Sequence, residues 1–427
     1  FFYAYWDWRF LSLIVVSSAV DYFVGIGFAK TEDGAKRRFL LLTSIAVNIG
    51  ILGFFKYFNF FAENFARAFV LFGEPFSDTT RLNIVLPVGI SFYTFQTLSY
   101  SIDLYRRRLE PTREFWSFFA FVSFFPQLVA GPIERATSLL PQFHAGRRFD
   151  YDSAIDGSRQ ILWGLFKKIV IADGCAVYVD QIFGNYSGYS GSTLLLGAIF
   201  FSFQIYGDFS GYSDIAIGTA RLFGFRLTRN FAFPYFSRDI AEFWRRWHIS
   251  LSSWFRDYVY IPLGGNRSGR RRIVINVVIT FVLGGLWHGA AWNFVIWGLF
   301  HAGLILIWRS GSRENGRYTG PVSTAITLLF IGAGWALFRE GDLGFIGENL
   351  FSQIWEIQLA AALGATALLY SLPIWLHAII DRPRLRAYWA RTDVSRTVGL
   401  TAVTLASFIG ILLLRADVSV DFIYFRF

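Results

Sequence analysis

The chain has 427 residues, of which 54% are Ala, Val, Ile, Leu, Phe, Trp, Tyr or Cys, 20% are aromatic and only 16% are charged. Soluble domains carry about 45–50% apolar residues with glycine counted, and about 25% charged ones. The composition therefore excludes a soluble globular protein and a disordered chain, and the lone Cys175 excludes a disulfide scaffold. The net charge is +10, but the basic residues sit in short clusters between apolar runs. That is the distribution of a polytopic membrane protein, not of a nucleic-acid binder. Methionine is absent and the chain opens FFYAYWDWRF, which points to a trimmed, redesigned or map-read sequence. The first apolar run is too long for the core of a signal peptide.

About 20 mostly apolar residues cross the hydrocarbon layer. Candidate spans fall near 10–29, 39–55, 57–73, 82–104, 114–131, 160–179, 192–207, 273–287, 291–308, 320–338, 359–380 and 396–415, roughly ten to twelve in all. The breaks carry Lys30/Lys36/Arg37/Arg38, Arg106–Arg108, Lys167/Lys168, Arg245/Arg246, Arg270–Arg272 and Arg382/Arg384/Arg386. Each cluster votes for the cytoplasmic side. Alternate loops must face opposite ways, so some clusters belong to re-entrant or surface-lying helices. Segment 208–272 holds no clean apolar window, and 239–260 has the Trp/Tyr/Arg pattern of an amphipathic helix at the interface or of a buried funnel wall. No internal repeat or long linker divides the chain, so a single integral membrane domain over 1–427 is expected.

Five histidines narrow the chemistry. His144 reads as a solvated loop residue and His377 as an interfacial one, while His301 (WGLFHAG) either packs between helices or takes part in function. His248 lies in EFWRRWHISLS and His288 in LGGLWHGAAWNF. A helix from the Arg270–Arg272 cluster would carry His288 about 24 Å inward at about 1.5 Å per residue. An ionisable group at that depth is a functional candidate by default, though a hydrogen bond to a neighbouring helix would also account for it. Asp103, Asp208 and Asp214 are further candidates, with ion pairing or helix capping as the alternative. A zinc site lacks ligands, and no G-x-S-x-G elbow or P-loop is present. What remains is an acid/base histidine suited to taking a proton from a hydroxyl.

Four runs carry a resemblance: FFPQLVAGPIERA (124–136), DFSGYSDIAIGTARLFGF (208–225), FWRRWHISLSSWFRDYVYIPLGGNR (243–267) and LGGLWHGAAWNFVIWGLFHAG (283–303). They resemble the membrane-bound O-acyltransferase family, and the IPLGGNR ending looks most like its alginate O-acetyltransferase branch. The likeness covers about 89–303. It implies an all-α ring of transmembrane helices around a central tunnel, with re-entrant or interfacial helices. It implies His288 and His248 as the catalytic pair, with Arg245, Arg246, Trp287, Asn293, Asp208 and Ser210 around the substrate. The donor would be acetyl-CoA or an acyl-carrier thioester, drawn to the cytoplasmic arginines Arg245, Arg246, Arg256 and Arg267. No metal and no resident cofactor are expected. The acetyl group would pass outward through the bacterial inner membrane to a periplasmic SGNH-like acetyltransferase or to polysaccharide machinery, with lipids as neighbours and no nucleic acid. D-alanyl transfer from a carrier protein, and proton-coupled transport or flipping, stay open as alternatives.

Overall fold

The computed structural model describes residues 3–5, 7–70, 82–184, 189–267, 269–311, 320–340, 356–382, 393–416 and 420–423. Among them all regular structure is helical. α1 (Trp8–Lys30) and α2 (Gly34–Leu52) each start behind an aspartate, Asp7 and Asp33, whose carboxylate accepts from first-turn N–H groups. A five-residue π-turn (Gly53–Tyr57) joins α2 to α3 (Phe58–Val70), and α4 spans Ile90–Tyr105. Arg37 is buried and clamps two helix ends, donating to Phe28 O at 3.2 Å on α1 and to Leu104 O at 2.9 Å on α4. Between these helices Asp21 accepts from Asn48 Nδ2 and Ser101 Oγ, both at 2.7 Å, and from Ser44 Oγ. Such buried polar contacts hold helices together in lipid.

Short helices follow: α5 (Phe115–Val122), α6 (Phe125–Leu128) and α7 (Ala136–His144). α8 (Tyr151–Phe166) continues through a π-turn (Lys167–Ala172) into α9 (Asp173–Gly184). α10 (Gly191–Leu222) is the central helix: 78% of its apolar window is buried, against 11–33% in the other spans. α8 and α10 approach backbone to backbone. A Cβ at Gly164 would stand 2.6 Å from Gly211 O, and one at Gly218 would stand 2.5 Å from Gly157 O. A turn at Pro234–Phe236 leads to α11 (Ile240–Arg246), α12 (Ile249–Phe255) and a third π-turn (Arg256–Tyr260). Then come α13 (Arg270–His288), α14 (Trp292–Gly311), α15 (Pro321–Arg339), α16 (Ile357–Ile380) and α17 (Asp393–Leu414).

Eight helices among the described residues are long and apolar enough to span: α1, α2–α3 as one, α10 and α13–α17. The all-helical, polytopic class is as expected, but the count is lower than the ten to twelve apolar runs. The runs at 39–55 and 57–73 are one continuous helix, because Lys56, the residue between them, lies inside it on the π-turn; residues 71–73 lie outside the described residues. The run at 82–104 becomes a 16-residue core helix starting at Ile90, and 114–131 breaks into α5 and α6. Lys167 and Lys168 are not in a loop; they sit on the second π-turn, paired with Asp214 at 2.6 Å and Asp173 at 2.8 Å. Segment 208–272 is not uniformly non-spanning, since its first fifteen residues complete α10. Arg384 and Arg386 lie outside the described residues.

Candidate active site

α13 begins at the Arg270–Arg272 cluster and ends on His288, about 27 Å away at about 1.5 Å per residue. α14 returns antiparallel beside it: Gly285 lies against Phe294, Gly298 against Phe281, and Arg309 donates to Asn266 Oδ1 at 2.7 Å near the start of α13. Between these two helices and the α11–α12 segment runs a cavity of about 450 Å³. Trp244, Phe255, Phe281 and Trp297 form apolar walls, His288 at the end of α13 joins the lining, and Arg245, Arg256 and Arg309 add three cations to it. The imidazole of His288 is held edge-on by Trp287, Trp297 and Phe338, with ring centres 5.0, 5.2 and 5.2 Å away.

His248 reaches the same region by another route. It stands between α11 and α12 with φ +42°, a left-handed conformation that a histidine holds only when its surroundings impose it. The segment 239–260 is therefore two short helices and a π-turn, not the single amphipathic helix of the sequence pattern. Phe209 packs on His248 at 4.5 Å, and Trp287 lies between the two histidines, 5.8 Å from His248. His248 Nδ1 is 3.1 Å from Asn230 Oδ1. That oxygen also accepts from Ser250 Oγ at 3.0 Å and Ser250 N at 3.4 Å, and a backbone N–H can only donate. Oδ1 is thus the acceptor, Nδ1 carries the proton, and Nε2 keeps its lone pair. Nε2 is buried with no hydrogen-bond partner among the described residues. His248 lies outside the spanning helices, and burial pushes its pKa down to about 3, so the ring is neutral.

Of the expected substrate residues, Trp287 joins the histidines and Arg245 lines the cavity. The others face elsewhere. Arg246 pairs with Glu242 at 2.6 Å, and despite burial the hydrogen bonds from Arg238 and the charge of Arg246 hold the Glu242 carboxyl below the usual range. Asn293 donates to Phe338 O at 3.2 Å, joining α14 to α15. Asp208 pairs with Lys168 at 3.1 Å and accepts from Ile423 N at 2.6 Å, and Ser210 accepts from Lys167 at 2.8 Å. Asp103 accepts from Tyr258 at 2.7 Å. His301 is buried edge-on against Trp244 and Trp297, at 5.0 and 4.8 Å. His144 is not a free loop residue but lies 3.3 Å from Glu114. His377 meets Trp163 and Phe233 edge-on at 4.8 and 5.3 Å.

The sequence profile of the membrane-bound O-acyltransferase family matches residues 106–334, just over half the chain, including both histidines and the whole cavity lining. The chain belongs to that family. Among its relatives is the probable alginate O-acetylase AlgI of Pseudomonas putida, 38% identical over all of this chain and 92% of that protein. The peptidoglycan O-acetyltransferase of Helicobacter pylori is 38% identical over 82% of this chain and 72% of its own length. The teichoic acid D-alanyltransferase of Bacillus subtilis is more distant, 27% identical over 60% of this chain and 69% of its own. This protein is accordingly a multi-pass membrane acyltransferase of the AlgI-like branch, and it acts on an acyl donor.

In this acyltransferase the geometry adds residues that motif reading passed over. Asn230 fixes the tautomer of His248, and Trp244 and Trp297 wall the cavity. Asn230 sits in the plain run LTRNFAF, where no spacing marks it. A lone lysine inside an apolar run is a legible signal, and Lys56 turns out to touch the end of α13.

Proposed function

We propose that this protein transfers an acetyl group from acetyl-CoA to a hydroxyl acceptor, and that the acetyl passes outward through the bacterial inner membrane. One cavity lined by both arginines and His288 is the observation that carries this reading. Its volume lies in the range of about 300–1,000 Å³ typical of small-ligand sites. Its apolar walls suit a pantetheine arm and a thioester, and Arg245, Arg256 and Arg309 suit the phosphates. The end of the cavity at Asn266 and Arg309 lies beside the Arg270–Arg272 cluster, which the positive-inside rule assigns to the cytoplasm. Relatives named for alginate and peptidoglycan support a polysaccharide acceptor; in this reading the acceptor is an exopolysaccharide such as alginate or cellulose, reached through a periplasmic SGNH-like partner.

His288 serves as general base. It takes the proton of the acceptor hydroxyl, the oxygen bonds to the thioester carbonyl carbon, the C–S bond breaks, and the proton passes to the departing thiolate. His248, with Nδ1 committed to Asn230, presents Nε2 as an acceptor. It orients the acceptor hydroxyl. In this protonation state it has no N–H with which to stabilise an oxyanion.

The test is consumption of labelled acetyl-CoA by protein in nanodiscs, with an acyl-carrier thioester as the competing donor. His288→Ala is expected to lose more than about 100-fold of the rate while staying folded. Near-normal transfer in that variant refutes the base assignment. Label lost from the carrier thioester instead moves the reading to carrier-dependent transfer.

A further inference from the structure

The last turn of a helix leaves its final carbonyls without intrahelical partners. At the end of α13 these groups belong to the turn that carries His288, and α14 begins only four residues later. The acceptors are satisfied from a distant part of the chain. Lys56 Nζ donates to Trp287 O at 2.6 Å and to His288 O at 3.0 Å, and Tyr57 Oη donates to Leu286 O at 2.6 Å. Three consecutive carbonyls are thus held by two adjacent side chains.

Both donors lie on the π-turn Gly53–Tyr57 in the middle of a helix otherwise long and apolar enough to span. A π-turn inserts an extra residue into the helix and re-aims the side chains that follow it. Lys56 has no carboxylate within ion-pairing distance among the described residues; its partners are the two carbonyls and the face of Trp287, 5.9 Å from the ring centre. A lysine placed in a membrane helix without a counter-ion is expensive and is retained for function. A cation at a helix C-terminus is also where the helix dipole favours one. The same helix is fastened further along, where Asn64 Oδ1 accepts from Trp292 Nε1 at 2.8 Å. The α2–α3 helix therefore holds the His288–Trp292 turn at both of its ends.

We propose that Lys56, assisted by Tyr57, is a positioning residue for the transfer reaction: it caps the helix that carries His288 and fixes the imidazole against the cavity. This rests on His288 being the base. Lys56 does not line the cavity, so its loss acts on the chemical step and not on donor binding.

The experiment compares Lys56→Met, Lys56→Arg and Tyr57→Phe with wild type and His288→Ala in nanodiscs, reading kcat, donor KM and thermal unfolding. Lys56→Met is expected to lower kcat by about 10–100-fold, the penalty of a displaced catalytic group, with donor KM within about twofold. Lys56→Arg restores most of that loss, because a guanidinium keeps the charge and the donors. Tyr57→Phe lowers kcat by about threefold, in keeping with the loss of one ordinary hydrogen bond. A kcat in Lys56→Met within twofold of wild type overturns the proposal, as does an equal fall in Lys56→Arg. Should Lys56→Met fail to fold, Lys56→Arg and Tyr57→Phe decide, and wild-type kcat in Tyr57→Phe with no difference between Lys56→Arg and His288→Ala overturns it. Full activity in His288→Ala defeats the base assignment instead, whatever Lys56 does.

Discussion

Replacing Asn230 by alanine removes the acceptor that organises one buried corner of the site. Its Oδ1 receives His248 Nδ1, Ser250 Oγ and Ser250 N at 3.1, 3.0 and 3.4 Å, and its Nδ2 donates to Ser213 Oγ at 3.1 Å. The Ser250 hydroxyl can turn to another acceptor and Ser213 Oγ loses only a donor, but the His248 and Ser250 N–H groups cannot turn away. A buried donor left unsatisfied costs about 1–3 kcal/mol, so the two stranded here cost Asn230→Ala about 2–6 kcal/mol of stability. The effect on activity is larger in kind. Freed of Asn230, His248 can carry its proton on either nitrogen, and the Nε2–H form presents a donor where the mechanism needs an acceptor. Turnover is expected to fall on the order of 100-fold, within the range of acid/base groups. The assay is kcat from labelled acetyl-CoA between pH 5 and 8, with thermal unfolding alongside. Wild-type kcat in a folded Asn230→Ala protein would refute the tautomer argument.

The same ring makes a pH prediction whose sign follows from its environment. Burial holds His248 near a pKa of about 3, against 6.5 for the free side chain. The unfolded chain therefore binds a proton that the folded one refuses between those two values. The stability that this group contributes is complete above pH 6.5 and is lost as the pH falls toward 3, at about 1.4 kcal/mol per pH unit. Asn230→Asp places a carboxylate against Nδ1, favours the imidazolium and flattens that slope, which a thermal-unfolding series from pH 4 to 8 measures. A slope unchanged in Asn230→Asp counts against a neutral His248.

Further predictions test the cavity. A Cβ at Gly284, one turn before His288, meets nothing closer than Phe255 Cε2 at 3.9 Å, whereas one at Gly285 would stand 2.1 Å from Phe294 O. Gly284→Ala should keep or gain up to about 1 kcal/mol of stability as a better helix former, and Gly284→Leu should raise donor KM at least about tenfold by filling the channel, since blocked entry removes ground-state binding. Gly285→Ala, by contrast, should fail to fold, and thermal unfolding of the two alanine variants separates them; equal behaviour would contradict the packing of α13 on α14. Arg245→Gln combined with Arg309→Gln should raise the KM for acetyl-CoA about tenfold at low salt, with kcat kept and the difference shrinking as salt is added. A salt-independent KM in wild type would speak against phosphate binding at these arginines.

The sequence by itself determined the solvent this protein folds in and its family, and it singled out two histidines as candidates. Composition alone demanded lipid, because so apolar a chain cannot cover its surface in water. The GLWHG and WRRWHIS runs were legible because each motif is contiguous, and the helix from Arg270 delivered His288 to depth as its length required. Only the tertiary structure decided what those histidines meet. Asn230 is eighteen residues from His248 and Lys56 is 232 residues from His288, and no local period encodes either pairing. Lys56 also shows why the spans were miscounted: charge in an apolar run reads as a loop, yet helix ends elsewhere in the fold supplied the acceptors that let a lysine stay inside. The same holds for Lys167 and Lys168, whose partners Asp214, Asp173 and Asp208 reach them from the same helix and from α10. Hydropathy records what each residue would pay to leave water, and only packing reveals which partner makes the transfer possible.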